Sequence, residues 1–174
     1  MPVRILFATT TGKTEDVATR LAELIGPSAS IQDVGDLDTA EELEASGDLI
    51  CCVPTWNTGA DSMRSGTAWD SHVEGIPDLQ MTGRTVAIVG LGDSSSYSDY
   101  FCDAMEELYT AFIQAGAKMV GKVSTDGYNF SESKSVVDGL FCGLPLDEDS
   151  EGDLTDQRLV QWVKQLKSEA PGMF

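Results

Sequence analysis

Three short, unbroken apolar runs punctuate the chain, at 3–8 ("VRILFA"), 48–53 ("DLICCV") and 84–91 ("RTVAIVGL"), each followed by a segment rich in Gly, Thr, Asn or Ser. A strand with one face in water alternates apolar and polar residues, whereas continuous apolarity marks a strand covered on both faces, as in a parallel sheet. Fainter strand signals lie at 30–34 and 119–123. Between the runs the period lengthens. Val17, Leu21 and Leu24 fall on one helical face, as do Met105, Leu108 and Phe112, and Leu159, Trp162, Val163 and Leu166 repeat the stripe near the C-terminus. Strands alternating with helices predict an α/β sandwich. Residues 124–142, "STDGYNFSESKSVVDGLFC", break the rhythm with polar and turn residues and read as an insertion on the last strand.

In an open parallel sheet, ligands sit beyond the carboxyl ends of the strands, where the strand order reverses. The loops at 9–14, 54–59 and 92–100 all follow strand signals and are expected to meet at one site. With 174 residues the chain suits one domain, 1–174, with one substantial core.

Composition adds a strong field. Against 29 acidic residues stand 11 basic ones, a formal net charge of -18. Such a field repels nucleic acid and anionic membranes and favours association with basic protein surfaces. Because Met1 and Pro2 lead straight into the first apolar run, no signal peptide is expected, and no apolar stretch reaches membrane-spanning length. Cys51, Cys52, Cys102 and Cys142 show no metal-ligand spacing, and the first two, inside an apolar run, are expected to be buried and reduced. His72, the single histidine, has no Ser or Cys motif near it and is expected at the surface; Trp69 and Trp162 are expected to pack. The run 146–156, "LDEDSEGDLTD", has the composition of a solvated acidic loop.

The stretch "ATTTGKTEDVA", 8–18, contains Gly-Lys-Thr, the end of a triphosphate-binding loop. That loop needs a glycine at position 7, where the chain has Phe7. What remains is a strand, a hydroxyl-rich turn and a helix start, whose N–H groups suit a single phosphate. Capping a helix takes one threonine. Thr9, Thr10, Thr11 and Thr14 exceed that need, and Gly12 allows close backbone approach. "PTWNTG" at 54–59 then offers an indole, and "GLGDSSSYSDYFCDA" at 90–104 a glycine turn followed by Tyr97. Two aromatics beside a one-phosphate cradle suit a flat ring held between them.

With these three motifs in this order, the sequence resembles the flavodoxins, and in its 124–142 insertion and "GLPLDEDSEGDLTDQRLVQWVKQLKSE" the long-chain branch of cyanobacteria and algae. The resemblance covers essentially the whole chain. It implies a flavodoxin-like three-layer sandwich, a five-stranded parallel sheet ordered 2-1-3-4-5 with helices on both faces. It further implies one non-covalent FMN. By position, Thr9, Thr10, Thr11, Gly12, Lys13 and Thr14 would bind the phosphate, Thr55 would reach the ribityl chain, and Trp56 and Tyr97 would cover the two ring faces. Asn57, Thr58 and Gly59 would follow the N5 edge, and Gly92, Asp93 and the backbone near Asp99 the pyrimidine end. Tyr100 stands where the family pattern has Asn, and Lys13 where Asn is commoner.

The role so implied is a low-potential one-electron carrier, not an enzyme, shuttling FMN between semiquinone and hydroquinone and substituting for ferredoxin between photosystem I and ferredoxin-NADP reductase. A monomer is expected, in a photosynthetic bacterium's cytoplasm or an alga's plastid stroma. The alternative on the same fold is an FMN-dependent NAD(P)H quinone reductase, which needs an open pocket over the flavin. A signalling receiver domain needs an acidic cluster after strand 1 and an Asp after strand 3, where this chain has Ala8-Thr9 and Pro54-Thr55.

Overall fold

The computed structural model describes residues 2–45 and 47–174. Its centre is a parallel sheet of β1 (Val3–Phe7), β2 (Ala29–Asp33), β3 (Leu49–Pro54), β4 (Thr85–Leu91) and β5 (Lys118–Val120), ordered β2-β1-β3-β4-β5. Every residue of β3 is buried, and β4 is buried throughout except at Thr85. Removing such aliphatic side chains from water contributes roughly 1.5–3 kcal/mol each, far more than strand propensities differ, so these two strands occupy the middle.

The fifth position is built in two pieces. β5 pairs with the first half of β4 through Ala87↔Val120, and β9 (Leu144–Leu146) pairs with the second half through Val89↔Leu144. Between the pieces lie β6 (Val123–Ser124), β7 (Val136–Val137) and β8 (Leu140–Phe141), a small antiparallel sheet ordered β6-β8-β7. The expected insertion is present, with its own strands. Its polar sequence conceals an aromatic core: Phe141 lies 5.1 Å, centroid to centroid, from both Tyr128 and Phe130, and 6.0 Å from Phe101 of the preceding loop.

Helices α1 (Lys13–Ile25) and α3 (Thr155–Glu169) cover one face of the sheet, and α2 (Ala104–Gln114) covers the other. The α3 stripe is buried as its spacing requires, and the Trp162 Nε1–H donates to the Gly121 carbonyl at 2.8 Å. On α1 the stripe departs from expectation. Leu24 is exposed, while Ala18 and Ile25 join Val17 and Leu21 against the sheet. A stripe at i, i+4 and i+8 (Val17, Leu21, Ile25) fits the helix better than the one through Leu24.

The segment between β3 and β4 is covered by 3₁₀ turns, Ala68–Ser71 and Val73–Asp78, with Gly75 and Pro77 inside the second. This segment corrects the placing of His72, which is buried at 5% exposure with Nε2 3.2 Å from the Val34 carbonyl. Trp69 beside it is buried as expected and donates from Nε1 to the Cys52 carbonyl at 2.9 Å. All four cysteines are buried, free thiols; desolvation pushes Cys52 and Cys142 up to about 12. No helix among the described residues is long and apolar enough to cross a membrane.

Candidate functional site

β1, β3 and β4 are neighbours and parallel, so the loops after them emerge side by side at the carboxyl edge of the sheet. The first loop is shaped from within. Thr9 Oγ1 accepts the Gly12 N–H at 2.9 Å, and Gly12, at φ 91°, turns the chain into α1 with no side chain capping the helix. Among the described residues the N–H groups of Thr10, Thr11, Lys13, Thr14 and Glu15 have no acceptor. N–H groups left without acceptors at a helix start can meet an anion.

The second loop is pinned to α2. The Trp56 and Asn57 N–H groups donate to Ser65 and Arg64 carbonyls at 3.2 and 3.0 Å, and the Arg64 guanidinium, nearly buried, bonds the Asp103 carbonyl and the Glu106 carboxylate. Thr55 Oγ1 accepts the Ala104 N–H at 3.0 Å, supplying from the loop the cap that α2 lacks. In the third loop Asp93 Oδ1 accepts the Ser95 and Ser96 N–H groups, and the Tyr97 N–H returns to the Asp93 carbonyl at 2.9 Å. Burial acts to raise the Asp93 carboxyl, but the Ser96, Ser150 and Ser95 donors outweigh it and hold the group below its ordinary value.

These loops bound one cleft of about 150 Å³. Thr11, Lys13, Thr14, Thr55, Trp56, Thr58, Gly92, Asp93 and Tyr97 line it, and the Trp56 and Tyr97 side chains remain about half exposed, at 47% and 48%. The remaining candidates do not line the cleft. Thr9 and Gly12 shape the first loop, Thr10 is exposed on it, and the Asn57 amide turns back to the Met63 carbonyl. Gly59 packs against the Tyr100 ring, and Asp99 faces a separate groove shared with the insertion. A wider groove between α3 and β6 gathers none of the candidates.

Five lining residues were not among the candidates: Pro54 and Leu91, which lie inside the quoted motifs, Tyr100, noted only as a departure from the family pattern, and Glu148 and Asp149. The last two lie in the run that composition marks as a solvated loop. In the structure it is organised by Asp147, fully buried, whose carboxylate accepts the N–H groups of Ser94, Asp149 and Ser150 and the Ser94 hydroxyl. The signal was available, because the apolar "GLPL" preceding Asp147 is the second half of the last strand, and its loop obeys the same carboxyl-edge rule. Lys13 forms an ion pair with Asp149; that hydrogen bond raises the Lys13 ammonium against slight desolvation, and Asp149, Glu148 and Asp93 add attraction. One ammonium therefore faces three carboxylates in the cleft.

The flavodoxin family profile matches residues 5–162. A flavodoxin of Nostoc sp. (strain PCC 7120) is 39% identical over 168 residues, spanning 96% of either chain, and flavodoxin 1 of Escherichia coli (strain K12) is 35% identical over 95% of this chain and 92% of its own. The crystal structure of Fusobacterium nucleatum flavodoxin bound to flavin mononucleotide superposes with a TM-score of 0.86 at 29% identity, over 97% of this chain and 98% of that one. Sheet order, the three loops at one edge, and similarity along almost the whole length agree: the chain belongs to the flavodoxin family.

Proposed function

We propose that the protein carries one electron at a time on a single non-covalently held FMN. The observation that carries this reading is the cleft in which Trp56 and Tyr97 stand beside a helix start with five unspent N–H donors. The residues fit the group. The cradle would take the phosphate through the N–H groups of Thr10, Thr11, Lys13, Thr14 and Glu15 and the hydroxyls of Thr11 and Thr14, with Thr9 and Gly12 holding the loop. Thr55 accepts from Ala104 and keeps its own O–H to donate to the ribityl chain. The two half-exposed aromatics would bury apolar surface against a flat ring, with Asn57, Thr58 and Gly59 along one edge and Gly92, Asp93 and the Asp99 backbone along another.

Bound FMN supplies a centre that accepts and returns single electrons. The chain sets the cost of that charge. Asp93, Glu148 and Asp149 at the cleft, within a protein of net charge -18, repel added negative charge and so favour a low potential. Trp56 and Tyr97, both lining the cleft, would leave little room for a quinone if they cover the two ring faces, which supports a carrier over a reductase. Similarity to cyanobacterial chains and the acidic surface support partners with basic faces, namely photosystem I and ferredoxin-NADP reductase, met by a monomer in a bacterial cytoplasm or a plastid stroma.

Purified protein is expected to release FMN on denaturation and, in an anaerobic potentiometric titration, to take up two electrons in separated steps. A protein that neither contains nor binds FMN overturns the reading. Reduction by illuminated photosystem I, lost at high salt, tests the named partner.

A further inference from the structure

Among the described residues Lys13 is the one cation lining the cleft, and its ammonium is held by a carboxylate. It begins α1, next to the unspent N–H groups of Thr11 and Thr14, yet its ammonium is bound to the Asp149 carboxylate across the cleft. Asp149 is held in place by its backbone, since its N–H donates to Asp147, which is buried and anchored in turn to Ser94. The carboxylate therefore projects from a fixed turn, while the lysine reaches it from the helix start.

We propose that Asp149 is a positioning residue that sets phosphate selectivity: by holding Lys13 it weakens the cradle for a phosphate monoester and limits how strongly the cleft prefers FMN to a flavin without phosphate. The inference rests on the proposed role of the α1 start as a phosphate cradle. An arriving phosphate would find the Lys13 charge cancelled by Asp149, and the nearby Glu148 and Asp93 carboxylates opposing it further. The cradle then works through neutral N–H and hydroxyl dipoles, and whatever Lys13 adds comes only after its pair is broken. Both partners are well exposed, with side-chain accessibilities of 45% and 41%, so the effect is that of a surface ion pair, modest and sensitive to salt.

The test compares FMN with riboflavin, which lacks only the phosphate. Full-length protein freed of flavin is titrated with each ligand at low ionic strength, and flavin fluorescence quenching gives Kd. In Asp149→Asn the ratio of riboflavin Kd to FMN Kd is expected to rise about two- to fivefold over wild type. Asp149→Glu, which keeps the pair, is expected to hold the wild-type ratio. In a Lys13→Met background the Asp149→Asn rise is expected to fall to the smaller part that direct repulsion between Asp149 and the phosphate supplies, and at about 0.5 M salt it is expected to shrink. An unchanged or lower ratio in Asp149→Asn overturns the proposal, as does a rise of equal size without Lys13. A wild-type protein that binds riboflavin as tightly as FMN overturns the phosphate cradle itself, a distinct result.

Discussion

Gly66 packs against the second loop: a Cβ at this position would stand 2.8 Å from the Trp56 Cβ, and the residue holds φ at 68°. Either feature alone disfavours a side chain. Gly66→Ala is expected to displace Trp56 and to cost about 1–2 kcal/mol from the left-handed backbone alone, seen as a lower urea midpoint together with weaker FMN binding. Gly26 and Gly83, at positive φ with open space around them, are expected to show only the backbone cost on substitution by Ala. His72 is buried for a different reason, because its ring bonds the Val34 carbonyl through Nε2 while Nδ1 has no partner among the described residues. His72→Phe keeps the bulk and leaves the Val34 carbonyl with the Leu37 N–H as its remaining partner, an expected loss of about 0.5–1.5 kcal/mol in chemical denaturation, with FMN affinity unchanged.

Helix α2 begins without a side chain of its own at the cap, because Asp103 spends its carboxylate on the Lys134 N–H of the insertion. Thr55 supplies the missing acceptor from the cleft wall, so ligand loop and helix are one mechanical unit. Thr55→Val is isosteric but cannot accept, and is expected to lower stability by about 1 kcal/mol even with no flavin bound. The third loop is maintained by a charge. Asp93 sits below its ordinary value in the fold, so its contribution is complete above the unfolded carboxylate range and disappears as pH falls through the folded value. Asp93→Asn is therefore expected to be less stable than wild type at neutral pH, with the difference closing below about pH 4 in urea titrations. The insertion supports the same loop from outside, its Ser131 and Glu132 N–H groups both donating to the Ser98 carbonyl at 3.0 Å.

A net charge of -18 acts on the entire molecule. Mutual repulsion among surface carboxylates opposes compaction, and salt screens it over about 10 Å at 0.1 M. Raising salt from about 0.02 to 0.5 M is expected to raise the thermal midpoint of the flavin-free protein and, in the loaded protein, to shift the lower midpoint potential upward. A potential indifferent to salt would mean that the three carboxylates at the cleft are already neutralised or too well solvated to act.

Unbroken apolar runs were enough to place β1, β3 and β4, since a strand buried on both faces has no polar positions to disguise it, and the α2 and α3 stripes follow from the helical period. Those elements, taken with the rule that ligands lie beyond carboxyl ends, put Thr11, Thr14, Trp56 and Tyr97 at one cleft. Periodicity carries no information about contacts between distant segments. That is why Leu24 looked buried and is not, why His72 looked exposed and is not, and why polar residues 124–142 concealed an aromatic cluster. The same blindness covered the acidic run. Composition makes 146–156 a solvated loop, and only the pairing of β9 with the second half of β4 brings Glu148 and Asp149 to the cleft beside the start of α1, where one of them takes hold of Lys13.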